Sequence, residues 1–149
     1  MAEPLSFTVD KFTFIIPTDR LYHPDGLWIQ ERDGRLRVGV TDYLQQNSGD
    51  VAFAAVAEAG TAVTPGERLA TIETIKVDVE LPAPLSGTVV KVNALLELEA
   101  ERVNQDPYGE GWLAEMEPDA WEAGQAALMS AAAYYDHSHA RALQEIGKK

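Results

Sequence analysis

Hydrophobic and polar residues alternate in short stretches along most of the chain. Alternation of this kind puts every second side chain on one face of a strand. It predicts strands at Leu27–Gln30, Leu36–Val40, Val51–Val56, Leu69–Glu73, Val77–Leu81, Thr88–Val92 and Trp112–Met116. Turn residues separate most of them: Asp33-Gly34, Ser48-Gly49-Asp50, Pro65-Gly66, Ser86-Gly87 and Tyr108-Gly109-Glu110-Gly111. Many short strands punctuated in this way predict a mainly β protein, a sandwich or a flattened barrel. Asp42–Asn47 and Leu95–Arg102 suit short helices. Residues 1–20 alternate at Phe7 and Val9, then at Phe12, Phe14 and Ile16, and close at Pro17. They read as an N-terminal extension, a strand or an arm, ahead of a barrel spanning 21–117.

The period changes over residues 118–149. Asp119 follows Pro118 and stands three before Glu122, the arrangement of a helix N-cap with a supporting acid. Beyond it the chain is rich in alanine, with Leu128, Ala131, Ala132, Tyr135 and Leu143 at helical spacing. One or two helices packed on the barrel are expected, ending in a basic, frayed Lys148-Lys149. Gly124 weakens the first part by up to about 1 kcal/mol. A faint repeat also relates two segments, Gly49-Asp50-Val51 through Glu73 and Gly87-Thr88-Val89 through Glu115. Two related halves place their junction, residues 73–86, at a symmetry-related edge.

Composition narrows the chemistry. A chain of 149 residues with 46% hydrophobic and 24% charged residues suits one soluble domain. The absence of cysteine excludes disulfides, thiol catalysis and cysteine-ligated zinc, so redox chemistry here needs an added group. The net charge of −12, from 24 acidic and 12 basic residues, argues against nucleic acid. It suits acidic solubility and docking to basic partner surfaces. The opening MAEPLSFTVDKF lacks the apolar core of a secretory signal, and no apolar run approaches the roughly 20 residues that span a bilayer. A cytoplasmic protein without membrane contact is the expectation. His137 and His139, two apart in a helical stretch, face different ways, so no metal site is expected of them. No phosphate-cradling glycine loop, no paired carboxylates with a pocket and no Ser-His-Asp set stand out.

Lys76 lies in Ile72-Glu73-Thr74-Ile75-Lys76-Val77-Asp78-Val79-Glu80. Alternation alone allows a single strand with Thr74, Lys76, Asp78 and Glu80 on its wet face. A hairpin here would turn without Gly, Asn or Pro. By pattern, Lys76 is an ordinary solvated lysine.

Four motifs in register say more. They are Val38-Gly39-Val40-Thr41-Asp42-Tyr43 with Ser48-Gly49-Asp50-Val51, Glu73-Thr74-Ile75-Lys76-Val77, Pro84 through Asn93, and Val103-Asn104-Gln105-Asp106-Pro107 through Leu113. Together, from about Tyr22 to Glu117, the chain resembles the glycine cleavage H-protein family. The resemblance implies a flattened lipoyl/biotinyl-type barrel of two small antiparallel sheets with a C-terminal helical segment. It also implies a lipoyl group on a lysine at an exposed hairpin tip, and Lys76 holds that place in the motif. Methionines usually flank a biotin-accepting lysine; Ile75 and Val77 stand here, which favours lipoate. Lipoate-protein ligase would join the arm to the amine as an amide, and its dithiolane would supply the sulfurs this chain lacks. Glu73, Val77 and Glu80 form the surroundings of the arm, with Glu73 either read by the ligase or an ordinary strand carboxylate. A tethered arm acts by raising local concentration at successive sites, so the resemblance implies a carrier that is not itself an enzyme, with partner enzymes supplying the catalysis. Within the last motif, Pro107, Gly109 and Gly111 are expected to shape a tight turn, with Tyr108 and Trp112 packing the barrel.

One departure from the family bears on cargo. The family's His-Glu pair before the tryptophan of Tyr22–Trp28 is replaced by Gly26 and Leu27. In the family that glutamate helps hold an aminomethyl group, a contact of about 1.5–3 kcal/mol. Tyr43 stands where the family has histidine or tyrosine, and Glu80 keeps an acid four positions after the lysine. The lost glutamate and the additional residues 1–20 favour an H-like lipoate-binding protein of bacterial sulfur oxidation, beside a heterodisulfide-reductase-like complex. The alternative is a glycine cleavage carrier serving decarboxylase, aminomethyltransferase and dihydrolipoamide dehydrogenase. A third is an unmodified H-like interaction protein.

Overall fold

The computed structural model describes residues 3–147; Lys148-Lys149, the expected basic end, lie outside them. Alternation in the middle of the chain becomes two antiparallel sheets. One has six strands in the order β3 (Leu21–His23), β4 (Leu27–Arg32), β5 (Arg35–Val40), β11 (Ala114–Pro118), β10 (Gly87–Val92) and β7 (Ala62–Val63). The other has three, β6 (Val51–Val56), β8 (Arg68–Thr74) and β9 (Asp78–Pro82). The inward residues, among them Ile29, Leu36, Val38, Leu69, Ile72, Leu81, Val89 and Met116, make one continuous barrel core. This is the expected flattened barrel. Its two halves close alike, β6 pairing with β8 and β10 with β11. That shared closure matches the faint repeat.

A second core lies outside the barrel. Residues 5–16 fold as a hairpin of β1 (Leu5–Val9) and β2 (Phe12–Ile16), in register from Leu5↔Ile16 to Val9↔Phe12. Its inward face, Phe7, Val9, Phe14 and Ile16, packs with Tyr22, Trp28, Tyr43, Tyr134 and Ala142. Trp28 is central: its indole N–H donates to the Pro107 carbonyl at 2.9 Å, and a Cβ at Gly39 would sit 2.6 Å from the ring. Gly39 is therefore required by space. Tyr108 ties the hairpin down, its hydroxyl donating to the Ile15 carbonyl at 2.6 Å and accepting from the Asp42 N–H at 3.0 Å. Tyr108 and Trp112 thus pack against this outer cluster and not in the barrel core. The Arg37 guanidinium lies 4.4 Å above the Trp112 ring.

Several elements differ from expectation. The predicted helix Leu95–Arg102 divides into a 3₁₀ turn, Ala94–Glu97, and a short α2, Arg102–Gln105. Only Leu96 of its early leucines is buried, and Leu98 points into solvent. Asp119 is not a cap: its N–H is taken by the Ser86 carbonyl, and α3 (Trp121–Ala126) begins after Ala120 with no side-chain cap. The longer α4 (Ala131–Gly147) buries Ala131, Tyr134, Ser138 and Ala142, whereas Ala132 and Leu143 are exposed. Ser138 misleads the pattern because its hydroxyl bonds back to the Tyr134 carbonyl at 2.7 Å, which lets a polar residue sit on the inner face. The short β3 and β7 carry too few residues for alternation to announce them.

α1 (Asp42–Ser48) is capped by Thr41, whose side chain accepts from the Leu44 N–H at 3.2 Å. It ends at Gly49, and this end supports the candidate site.

Candidate functional site

β8 and β9 meet in a turn centred on Ile75-Lys76. The Thr74 N–H donates to the Val77 carbonyl at 2.9 Å, and the Thr74 hydroxyl donates to the same oxygen at 2.8 Å. That hydroxyl also accepts from the N–H groups of Lys76 at 3.2 Å and Val77 at 2.9 Å. A threonine side chain thus closes the turn, and neither Ile75 nor Lys76 adopts a positive φ. This is why the hairpin forms without Gly, Asn or Pro. Its tip stands out into solvent, with Ile75 76% and Val77 50% exposed.

Lys76 is exposed, and its ammonium donates to the Asn47 carbonyl at 3.3 Å, at the negative end of α1. Among the described residues it makes no ion pair. The backbone beneath it is held by Asn104. The Asn104 amide donates to the Gly49 carbonyl and the Gln45 side chain, both at 3.0 Å, and its oxygen accepts from the Val51 N–H at 2.8 Å. The Asp50 carbonyl then accepts from the Ile75 N–H at 3.2 Å. Gly49 has φ +91, and a Cβ there would stand 3.1 Å from Lys76 Cε. The positive φ favours glycine, while the exposed end of Lys76 has room to shift from a Cβ. Asn104 and Gly49 lie within the motifs of the resemblance, but only the structure shows them supporting Lys76.

Beside Asn47 a cleft of about 310 Å³ opens between the β3–β4 turn, α1, β9 and α4. Gly26, Tyr43 and Glu80 line it, together with Arg141 and Glu145 from α4. The structure therefore brings Gly26, Tyr43 and Glu80 together around the residue that holds Lys76. Leu27 is elsewhere: it is fully buried in the barrel core and is no cleft residue. Gly26 has φ +100, and a Cβ there would press on Leu44 Cβ at 2.9 Å. Glu73 and Val77 stay on the exposed hairpin outside the cleft, Glu73 opposite the exposed Phe53.

The polar groups of the cleft are tied together. Glu145 accepts from the Tyr43 hydroxyl at 3.2 Å and from the Asn47 side-chain amide at 3.4 Å. Burial pushes the Tyr43 hydroxyl above the usual tyrosine range. At the β3–β4 turn, burial lowers His23, partly opposed by Asp25, and His23 Nδ1 accepts from the Asp25 N–H at 3.0 Å. His137 faces the Pro24 carbonyl at 3.1 Å and the His139 ring packs at a tilt against Phe7, so the two diverge. No group of metal-ligating side chains occurs among the described residues. No helix among them is long and apolar enough to cross a membrane.

Known proteins place this architecture. The family model described as glycine cleavage H-protein matches residues 20–140. The chain belongs to the glycine cleavage H-protein family. Its members are lipoyl carriers. The chain is 42% identical over 125 residues to the glycine cleavage system H protein of Mycolicibacterium vanbaalenii, covering 82% of this chain and 95% of that one. It is also 42% identical over 103 residues to that of Thermus thermophilus, covering 69% of this chain and 80% of the relative. The crystal structure of a glycine cleavage system H protein from Mycobacterium marinum superposes with a TM-score of 0.75 at 34% identity, covering 83% of this chain and 99% of that one. These relatives give no support to the sulfur-oxidation expectation; they favour the glycine cleavage alternative. The β1–β2 hairpin lies outside the family match.

Proposed function

We propose that this chain is the lipoyl carrier of a glycine cleavage system and that Lys76 bears the arm. The observation that carries the reading is the exposed Lys76 amine, at a hairpin tip closed by Thr74 and beside a cleft lined with carboxylates. The residues present fit the group. A ligase needs an accessible amine, and this one is held by a single neutral contact. When bound, the dithiolane supplies the disulfide–dithiol chemistry that a chain without cysteine lacks.

The chain's own residues position and receive. Thr74 fixes the tip, and Asn104 and Gly49 set the floor against which Lys76 rests. Glu73 and Val77, exposed beside the lysine, face the ligase. Glu80 and Glu145 offer acceptors to a cationic amine in the cleft, where a charge-assisted hydrogen bond is about twice as strong as a neutral one. They provide carboxylates at the place where Gly26 has no side chain. The partners are lipoate-protein ligase, the glycine decarboxylase, the aminomethyltransferase and dihydrolipoamide dehydrogenase.

A second reading, sulfur or electrons carried beside a heterodisulfide-reductase-like complex, is favoured by one observation. Gly26 is bare and Leu27 is buried, so neither position offers a carboxylate to an amine. The lipoylated protein, incubated with glycine and glycine decarboxylase, separates the two. Glycine-dependent aminomethyl loading, seen by intact mass, is expected. A lipoylated protein that stays unloaded while the Thermus thermophilus relative loads would transfer the case to sulfur cargo.

A further inference from the structure

The hairpin outside the family match does more than cover the second core. A hollow of about 80 Å³ opens on it, lined by Val9, Asp10, Phe12 and Phe14 of the hairpin and by Asn47, Ala142 and Glu145. Asn47 and Glu145 also line the charged cleft, so the two spaces meet at the residue whose carbonyl holds the Lys76 ammonium. Their chemistry differs. Besides the shared pair, the cleft presents Asp25, Glu80, His137 and Arg141, whereas the hollow sets two aromatic rings, a valine and an alanine beside the single carboxylate of Asp10. Phe12 is 51% exposed, unusual for an aromatic with a packed core beside it.

The wall is fixed. The Asp42 carboxylate accepts from the Ile15 N–H at 2.9 Å, the Gln46 amide donates to the Thr13 carbonyl at 2.9 Å, and Tyr108 bonds to Ile15. Each of these contacts ties β2 to α1 or to the 106–112 turn, so the hollow keeps its place relative to Lys76. A single water needs about 10–15 Å³ of such space, so the hollow has room for several heavy atoms.

We propose that the hollow between the β1–β2 hairpin and α4 is a resting site for the dithiolane end of the arm on Lys76. The proposal rests on the carrier reading. An uncharged ring of sulfur and carbon gains from apolar and aromatic neighbours and gains nothing from the charged cleft. The cleft then remains for a polar cargo, and the hairpin gives this chain an alternative berth that the family-matched region does not contain.

The test uses the full chain, apo and lipoylated, with intact mass establishing the modification. In NMR spectra, lipoylation is expected to shift the Phe12 and Phe14 ring signals and the Val9 methyls. Nuclear Overhauser contacts should join the dithiolane protons to the Phe12 ring. In Phe12→Asp, an exposed substitution, the dithiolane should be reduced by a water-soluble phosphine at least about threefold faster than in the wild type, having lost apolar cover. A lipoylated protein whose shifts stay at Gly26, Leu44 and Glu80, or whose reduction rate is indifferent to Phe12→Asp, overturns the resting site and leaves the carrier reading standing. An unmodified mass overturns both.

Discussion

Thr74 is the residue on which the presentation of Lys76 depends. Its hydroxyl makes every side-chain hydrogen bond that closes the turn, and no glycine stands in reserve. Thr74→Val keeps the shape and removes those bonds. In urea unfolding it should cost about 1 kcal/mol, the usual net value of such hydrogen bonds, and the ligase should modify Lys76 more slowly. Thr74→Ser should keep both properties near wild type. Equal behaviour of Val and Ser would show that the hydroxyl does not organise the tip. Lys76 was invisible to alternation for this reason. Turn signals are read from Gly, Asn and Pro, whereas here the turn chemistry sits in a side chain that also suits a strand. Only the surrounding motifs marked it. Leu27 shows the opposite failure: a position aligned with a cleft residue proves to be barrel core.

Among the elements, the β3–β4 turn joins the cleft to pH. His23 Nδ1 accepts a backbone hydrogen bond in its neutral form, and burial depresses its protonation below the usual 6.5. Above pH 6.5 the imidazole is neutral in the folded and unfolded chain alike, and its contribution is intact. As the pH falls below 6.5 the unfolded chain takes the proton first, so stability declines through the folded-state value. Urea midpoints of wild type and His23→Gln, compared between pH 8 and pH 5, should converge toward the acid end. Parallel curves would remove His23 from the acid response. Strand positions in the barrel were legible because alternation reports a two-faced sheet directly. The α4 face was not, since Ser138 hides its polarity in a local hydrogen bond and Tyr134 replaces Tyr135 as the buried ring.

At the scale of the whole molecule, two cores share one chain. The barrel core needs nothing from residues 5–16, whereas the outer core draws Phe7, Val9, Phe14 and Ile16 from them. Each large buried apolar side chain is worth about 1.5–3 kcal/mol at most. Deletion of residues 1–16 should therefore lower the urea midpoint clearly while the β circular dichroism of the barrel persists. An unchanged midpoint would mean that the hairpin is not held to the fold. The extension was recognisable as alternating sequence, but alternation cannot say what a strand packs on. Its partner, α4, lies more than a hundred residues away.

The carrier reading converges on a single amine. The most direct measurement is the intact mass of wild type and Lys76→Arg after co-expression with lipoate-protein ligase and lipoate. One lipoyl group on the wild type and none on Lys76→Arg is the expected result. A wild type of unmodified mass, or a Lys76→Arg protein that still takes up the group, would contradict it.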